Sequence, residues 1–433
     1  MNNVFSTDLL LRIVARSWMP LVWAAGACTV HNPAVCCETE SECAAVGFAD
    51  PQVCQDGVCV ANSCAATGCD GDEDCDSTLP HCVGGTCTAG CDGDEDCIDP
   101  NFPRCIDNVC SIDCDLTGGK IVFSSDRDGD DDLYTMFGDG SGLMTAAPSA
   151  AFERSPRWSA DGQRLSFMRD AAGRFDVFVS ASDGSNPSNL TNSSDDDSDP
   201  SWSPDGSMIA FTATPATSTK PFAKVMNADG SNVHELTSVA GADGREPVWS
   251  PDGTKLAFVA SDPTSGTSSL WIVGSDGVSG KLHLQTSGVS HPRWSPDGRS
   301  LAFISNASGG KDVWLSNATG TNIAPIAITQ EDELEVEWSP DGTQLAFVRD
   351  TSGNRDVWVV AIDGSGARNV SNANGADEHP RWSPDSAFLI FESNRDGNRE
   401  VYRASRDGSA SVNLTRDPAS DSAPDITRCP ANP

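Results

Sequence analysis

Three things are scarce in this 433-residue chain, and each shortage excludes a class of protein. Lysine and arginine number 28 against 63 acidic residues, which gives a formal net charge of −35 at pH 7. Because phosphates would be repelled, nucleic acid and anionic membrane surfaces are excluded as default partners. No segment reaches the roughly 20 apolar residues that a membrane-spanning helix needs. Tyrosine occurs only 2 times beside 11 tryptophans, so we expect the tryptophans to belong to a pattern.

Cysteine is almost absent from the last three quarters of the chain, because 16 of the 17 cysteines precede residue 115. Such a cluster of cysteines is not typical of proteins in the reducing cytosol. Residues 28–117 also hold 18 acidic side chains and one basic side chain, Arg104. They have too few large apolar residues for a core, so cross-links must supply the stability. We therefore expect a small disulfide-rich domain over 28–117, an acidic stalk whose connectivity the spacing leaves open.

The stalk repeats a spacing of C-x5-C, a longer gap and C-x4-C, and two modules share the heptapeptide CDGDEDC at 69–75 and 91–97. Zinc is disfavoured because paired C-x2-C ligands are absent. Alternating carboxylates in the two CDGDEDC loops are candidate calcium ligands, although a solvated acidic turn is the simpler interpretation. The six candidates are Asp70, Asp72, Asp74, Asp92, Asp94 and Asp96.

Residues 1–27 are typical of an export signal, with Arg12 and Arg16 before a short apolar segment that ends in small residues. Ala25-Gly26-Ala27 fits ordinary signal peptidase, and with the next residue it also resembles a bacterial lipobox. Lipidation of Cys28 would leave 16 cysteines, an even number for disulfides. We expect an outer-membrane lipoprotein that faces the periplasm or the cell surface, with secretion as the alternative.

From residue 118 to 433 the chain repeats one unit, whose strongest copies are PSWSPDG, PVWSPDG and PRWSPDG. Steps of 44, 47, 45, 44 and 44 residues separate the six repeat tryptophans, which is the length of a four-stranded propeller blade. The tryptophans are Trp158, Trp202, Trp249, Trp294, Trp338 and Trp382. Proline, aspartate and glycine of S-P-D-G suit a tight turn, and an alternating strand such as Leu256-Ala-Phe258 follows. We expect blade-to-blade packing to account for the tryptophans.

The strand after the turn occurs seven times, from Ile121-Val-Phe123 to Leu389-Ile-Phe391. The first unit begins at its second strand, and the chain ends with a degenerate first strand over 421–426. We therefore predict an all-β fold with a seven-bladed β-propeller, six blades being the alternative, closed by the C-terminal strand. Cys114 and Cys429 flank the closing blade, so we predict a disulfide between them.

The ordered motifs P-x-W-S-P-D-G, L-A-F, D-V-W and D-G-S over 120–426 resemble those of the TolB-type β-propeller family. The resemblance implies an envelope protein whose propeller binds partners. TolB carries an α/β domain before its propeller, where this chain has the cysteine-rich segment. Similar propellers precede the catalytic domain of prolyl-oligopeptidase-type peptidases, but the chain leaves no room for one after its closing strand and has no G-x-S-x-G motif.

If the strand that contains the repeat tryptophan is the innermost strand of each blade, the positions three residues before the tryptophans surround the central channel. These positions hold Ser155, Asp199, Glu246, His291, Glu335 and His379, with Ala423 in the degenerate copy. Three carboxylates and two imidazoles suit a divalent cation, calcium or a transition metal. The family resemblance adds metal-dependent lyases of uronic-acid oligosaccharides, whereas caps of turns and a solvated channel mouth are the simpler interpretation.

The function that the sequence favours is non-catalytic binding of an envelope protein or glycan by a monomer held at the membrane by its lipid anchor. A channel-metal enzyme acting on carbohydrate is the alternative, and a purely structural envelope component is the third option. No cofactor is assigned with certainty, and the loops do not identify the ligand.

Overall fold

The computed structural model describes residues 119–427, apart from 147, 171–172, 237–242, 262–266, 278, 280–281, 285–286 and 327–328, and the backbone of seven short strands before residue 112. Two compact units divide the chain, Met1–Asp113 and Cys114–Pro433. Among the described residues, no helix has the length and apolar character needed to cross a membrane. The predicted lipid anchor, disulfide and calcium sites lie outside the described residues: Cys28, Cys114, Cys429, and the loops at 69–75 and 91–97.

The described backbone of the first unit consists of short antiparallel strands. They are β1 (Val35–Cys36), β2 (Gln52–Gln55), β3 (Val58–Ala61), β4 (His81–Val83), β5 (Thr86–Thr88), β6 (Arg104–Ile106) and β7 (Val109–Ser111). β1 pairs with β3, and three hairpins join β2 to β3, β4 to β5 and β6 to β7. In each hairpin the cysteines of a C-x4-C pair are register partners, as Cys54 and Cys59 are in the first. The repeated cysteine spacing thus corresponds to a repeated hairpin.

The second unit contains seven four-stranded antiparallel sheets, which confirms the predicted seven blades. The inner strands are β11 (Glu153–Trp158), β15 (Asp196–Trp202), β19 (Arg245–Trp249), β23 (Ser290–Trp294), β27 (Asp332–Trp338), β31 (Asp377–Trp382) and β35 (Asp421–Thr427). The second strands are β8 (Lys120–Ser125), β12 (Arg164–Asp170), β16 (Met208–Thr214), β20 (Lys255–Ser261), β24 (Ser300–Ser305), β28 (Gln344–Thr351) and β32 (Phe388–Ser393).

The two outer rows complete each sheet. The third strands are β9 (Asp132–Phe137), β13 (Phe175–Ala181), β17 (Phe222–Asn227), β21 (Ser268–Gly274), β25 (Asp312–Asn317), β29 (Asn354–Ala361) and β33 (Glu400–Ser405). The outermost strands are β10 (Met144–Ala146), β14 (Ser188–Asn189), β18 (His234–Glu235), β22 (Leu282–Leu284), β26 (Ala324–Pro325), β30 (Arg368–Asn369) and β34 (Ser411–Asn413). These short outermost strands limit the exposed sheet edge.

The ring closes through the C-terminal strand. β35 pairs antiparallel with β8, so the first blade is built from both ends of the repeat region, in the order β35-β8-β9-β10. Blade 1 is this sheet, and blades 2 to 7 follow in chain order from β11 to β34. Each inner strand contacts the inner strands of both neighbouring blades, and β35 contacts β31 on one side and β11 on the other. The C-terminal strand is therefore the innermost strand of blade 1.

The core lies between the blades, as seven apolar clusters that each join two neighbouring sheets. The repeat tryptophans are 5–9% exposed and lie in these clusters. Three of them also donate an indole N–H to a backbone carbonyl of the preceding blade, as Trp249 does to Ser201 at 3.1 Å. Blade-to-blade packing therefore accounts for the six repeat tryptophans, as the sequence predicted.

In blades 2 to 7, the S-P-D-G turn or its variant joins the inner strand to the second strand by one arrangement. In blade 4 the Ser250 hydroxyl donates to Asp252 Oδ1 at 2.6 Å, and the backbone N–H of Lys255 donates to Ser250 Oγ at 2.9 Å. Gly253 has a φ of 67°, which favours glycine at this position. The hydrogen bonds from Ser250 and Thr254 lower the pKa of Asp252. The turn thus fixes the end of the inner strand, and with it the residues that face the channel.

Candidate functional site in the central channel

A cavity of about 660 Å³ lies inside the ring and is lined by the inner strand of every blade. Its wall consists of two layers of side chains, contributed by positions three and one before the repeat tryptophan. The first layer, which we call the bulge layer, contains the seven positions predicted from the sequence: Ser155, Asp199, Glu246, His291, Glu335, His379 and Ala423. The five predicted metal ligands therefore face one cavity.

A β-bulge in every inner strand positions the bulge layer. The register with the second strand shifts once in each inner strand, for example between Ser290 and Arg293 of β23. Six of the seven bulge residues are in the left-handed region, with φ between 51° and 56°, and a proline follows each of them. Glu335 is the exception, because Val336 replaces the proline. A bulge re-aims its side chain, so this irregularity explains why the layer faces the channel.

Carboxylates of the bulge layer connect neighbouring blades. Glu246 accepts the backbone N–H of His291 at 2.6 Å, and Glu335 accepts the backbone N–H of His379 at 3.0 Å. The Nε2 atom of His379 also lies 3.7 Å from Oε1 of Glu335. A bulge leaves a backbone N–H without its ladder partner, and these carboxylates supply one. Part of the layer therefore stabilises the ring itself.

The pKa values of the two histidines are shifted in opposite directions. Burial opposes the charged form of His379, but a hydrogen bond to Glu392 and the charge of Glu335 outweigh it, so the pKa of His379 is raised. Its Nδ1 atom lies 3.3 Å from Glu392 Oε2. Burial lowers the pKa of His291, and Arg293 lowers it further. The charge of Glu246 offsets the shift of the His291 pKa only partly.

In the described part of the chain, no group of three or more His, Cys, Asp and Glu side chains is arranged to hold a metal ion. Of the five predicted ligands, Glu246 contacts His291 and Glu335 contacts His379. Asp199 takes part in neither contact and accepts a hydrogen bond from Ser198. The metal site at these residues stays a prediction.

The second layer contains charges of alternating sign, which we call the charge arc. It consists of Arg293, Glu337, Arg381, Asp425 and Arg157, in blades 5, 6, 7, 1 and 2. Arg293 Nε lies 2.9 Å from Glu337 Oε2, and Arg381 Nη1 lies 3.6 Å from the same oxygen. Arg381 Nε is 3.4 Å from Asp425 Oδ1. Ser201 and Val248 hold the equivalent positions of blades 3 and 4 and leave the arc open there.

One side-chain conformation holds all three arginines of the arc in the channel. Each donates Nη1–H to the carbonyl of the proline before it, at 2.8 to 2.9 Å. Among the described residues, Arg157 alone of the three has no carboxylate within 4.0 Å, since Asp425 accepts the backbone N–H of Trp158 and contacts Arg381. Burial and the neighbouring charges of Arg381 and Arg293 lower the pKa of Arg157 to about 10, and the charges of Asp425 and Asp199 offset this only partly.

Sequence reasoning located the bulge layer but missed the charge arc. The sequence did indicate the arginines of the charge arc, because arginine precedes the tryptophan in three copies of the repeat motif, each with the sequence P-R-W. Glu392, the partner of His379, carries no such signal, because it lies on the second strand β32, outside the repeated motif.

The architecture agrees with the comparisons with known proteins. TolB from Acinetobacter baumannii is 19% identical over 72% of this chain and 67% of its own, with a TM-score of 0.48. An oligogalacturonate lyase in complex with manganese is 15% identical over 66% of this chain and 86% of its own, with a TM-score of 0.55. A puromycin-hydrolyzing peptidase from Mycobacterium tuberculosis is 16% identical over 66% of this chain but only 50% of its own, with a TM-score of 0.52. At these identities the lyase and peptidase structures show the fold alone.

A search of curated proteins gave no significant match. The family model of the TolB beta propeller domain matches residues 105–253 and 253–429, about three quarters of the sequence. Together with the seven closed blades, this match shows that the chain belongs to the TolB β-propeller family.

Proposed function

We propose that this chain is an exported, lipid-anchored envelope protein whose propeller binds a protein or glycan partner at the central channel without catalysis. The observation that supports this most is the cavity of about 660 Å³, to which all seven blades contribute. It carries charges of both signs, including Arg157, which has no ion-pair partner within the described part of the chain. Cavities of this size with a few placed polar groups are typical binding sites.

The ring suits a binding role because its site is already formed. Buried clusters hold every blade interface, and the bulge contacts hold the side chains that face the channel. A partner that binds a preformed site orders few additional groups, so less of the interaction free energy is lost.

Binding at the channel is tested by obstructing it. Ser201 faces the cavity, so Ser201→Trp places a large side chain inside, whereas Ser365→Trp makes the same change on an exposed turn. Envelope extract is titrated onto the immobilised mature protein, and saturable retention is measured. We expect Ser201→Trp to abolish retention and Ser365→Trp to preserve it. Equal retention by both variants would exclude the channel as the binding site.

The lipid anchor is tested at its predicted attachment residue. We expect Cys28→Ser to release the protein from the membrane fraction and to remove the lipid mass from the mature N-terminus. A variant that stays membrane-bound would contradict the anchor while leaving channel binding untouched.

A metal-dependent lyase is the second candidate, favoured by the contact between His379 and Glu335 in the cavity. The test is incubation of the mature protein with oligogalacturonate and manganese, monitored by the absorbance of the unsaturated product. Product that His379→Ala abolishes would favour the enzyme, whereas its absence at high protein concentration would leave the binding function.

A further inference from the structure

The charge arc is incomplete. From blade 5 round to blade 2, its signs alternate: Arg293, Glu337, Arg381, Asp425 and Arg157. Each carboxylate lies between two arginines, and Arg381 has a carboxylate on either side, at 3.6 and 3.4 Å. The arc therefore ends on an arginine in both directions and carries a net charge of +1.

The opening between the two ends of the arc is lined by Ser201 and Val248, which carry no charge. Arg293 is satisfied by Glu337 at 2.9 Å, but Arg157 has no carboxylate within 4.0 Å among the described residues. An anion in this opening would continue the alternation between Arg157 and Arg293. Arg157 is half-buried in the cavity. Charges withdrawn from water are normally paired, so an unpaired one in a cavity indicates a partner from outside.

We propose that the opening beside Ser201 binds one carboxylate of a peptide segment of the partner protein, through Arg157. This inference rests on the proposed function and names the chemistry of its ligand. A guanidinium binds a carboxylate through two parallel N–H donors, which gives orientation as well as affinity. Arg157 is held in place for this by its Nη1 bond to the Pro156 carbonyl at 2.8 Å.

The bulge layer favours a ligand that carries a single carboxylate and is otherwise neutral. Asp199, Glu246 and Glu335 face the same cavity, and the whole chain has a net charge of −35. A polyuronate carries a carboxylate on every sugar, so the additional ones would meet these like charges. The tryptophans that line the cavity are only 5–9% exposed and offer no open aromatic face for a sugar ring. A peptide with one acidic residue avoids both penalties.

The first test supplies the missing anion within the chain. Ser201→Asp places a carboxylate beside Arg157, and Ser201→Asn is its uncharged control of similar shape. We expect the aspartate variant of the full mature protein to melt about 2–5 °C above the asparagine variant, because it pairs the unpaired arginine. An aspartate variant that melts at or below its control would overturn the proposal.

The second test uses an acetylated and amidated Gly-Ser-Asp-Ser-Gly peptide, its Asn counterpart, digalacturonate and inorganic phosphate as probes. We expect the Asp peptide alone to bind, measured by its shift of the melting temperature and by calorimetry. Arg157→Gln should weaken binding at least tenfold, and Arg299→Gln, an 86% exposed control, should not. The proposal would be overturned if the Asp peptide did not bind or if the Asn peptide bound equally well. It would also be overturned if digalacturonate alone bound or if phosphate had an equal effect.

These tests separate the proposal from the function on which it rests. If Ser201→Trp abolishes retention of the envelope component while Arg157→Gln retains it fully, the channel is the binding site but Arg157 does not recognise the ligand. If neither substitution reduces retention, the channel function fails, and the peptide proposal fails with it.

Discussion

At the scale of single residues, four buried carboxylates of the propeller each pair with an arginine that also stacks on an aromatic ring. Glu153 contacts Arg169 at 2.7 Å, and Arg169 lies 4.7 Å from the ring centre of Phe178. Equivalent pairs are Arg349 with Glu333, Arg395 with Asp377 and Arg127 with Asp421. Blade 3 differs at the equivalent position, where Asp197 is 1% exposed and forms no ion pair with an arginine of the described chain.

Asp197 is therefore predicted to destabilise the fold at neutral pH. Burial raises its pKa to about 6, and the hydroxyls of Thr191 and Ser193 offset this only partly. Because the folded pKa exceeds the unfolded one, the native state loses stability as the pH rises from about 4 to about 6, and the loss persists above that range. We expect Asp197→Asn to be more stable than wild type by roughly 1–3 kcal/mol at pH 8 and equal to it near pH 3.5.

Chemical unfolding at both pH values measures this difference. Asp205→Asn is the control of opposite sign, because hydrogen bonds from Ser203 and Ser207 lower the pKa of Asp205. It should lose stability at pH 8, where the wild-type carboxylate is charged. An Asp197→Asn variant less stable than wild type at pH 8 would show that the carboxylate has a favourable partner.

The repeat tryptophans allow a matched comparison of one hydrogen bond. The indole N–H of Trp249 donates to Ser201, whereas that of Trp382 has no partner among the described residues, although both rings are buried. We expect Trp249→Phe to cost about 1 kcal/mol more than Trp382→Phe in the free energy of unfolding, since it leaves a buried carbonyl without a donor. Equal losses in urea unfolding would mean that ring packing alone holds the blades together.

At the scale of elements, the bulged inner strand connects the fold to the site. It keeps the tryptophan in the blade interface and turns the residue three before it into the channel. A non-glycine residue in the left-handed region raises the conformational free energy of the folded state by about 1 kcal/mol. Six of the seven inner strands contain one such strained residue. Ala423 is the simplest case, with a φ of 51° and a side chain that carries no functional group.

Ala423→Gly is therefore expected to stabilise the protein by about 0.5–1 kcal/mol, because glycine adopts this conformation without a steric penalty. The control is Ala404→Gly in the regular strand β33, where the same change should destabilise by a similar amount. Thermal unfolding of both variants provides the measurement. A destabilised Ala423→Gly variant would refute the assignment of strain to the bulge.

Regular elements were predictable from the sequence, and irregular contacts were not. Turn chemistry and alternation identified the second strands such as Leu256-Ala-Phe258, and the count of these strands gave seven blades. The contact between His379 and Glu392 was not predictable, because it joins an inner to a second strand across a register shift. The charge arc that ends at Arg157 could not be predicted either, because it depends on the order of charges around the closed ring. Only the three-dimensional arrangement provides that order.

At the scale of the whole molecule, closure by β35 determines whether the ring exists. Residues 421–427 pair with β8 and contact the inner strands of both neighbouring blades. Replacing 421–427 with a Gly-Ser linker of equal length should expose the β8 edge, abolish cooperative unfolding and promote self-association. Replacing the outermost strand Ser411–Asn413 with Gly-Ser-Gly is the control and should leave one cooperative transition. Calorimetry and gel filtration measure both outcomes, and cooperative melting of the first variant would contradict closure by this strand.

The most direct test of the central claim is site-specific photo-crosslinking in the intact cell envelope. One variant carries a small aliphatic diazirine residue, which unlike tryptophan does not fill the channel, in place of Ser201, and the other carries it in place of Ser365 on an exposed turn. We predict one discrete adduct from the channel position that disappears when Arg157→Gln is added, and none from the turn. Adducts from the turn alone would contradict a binding function of the central channel.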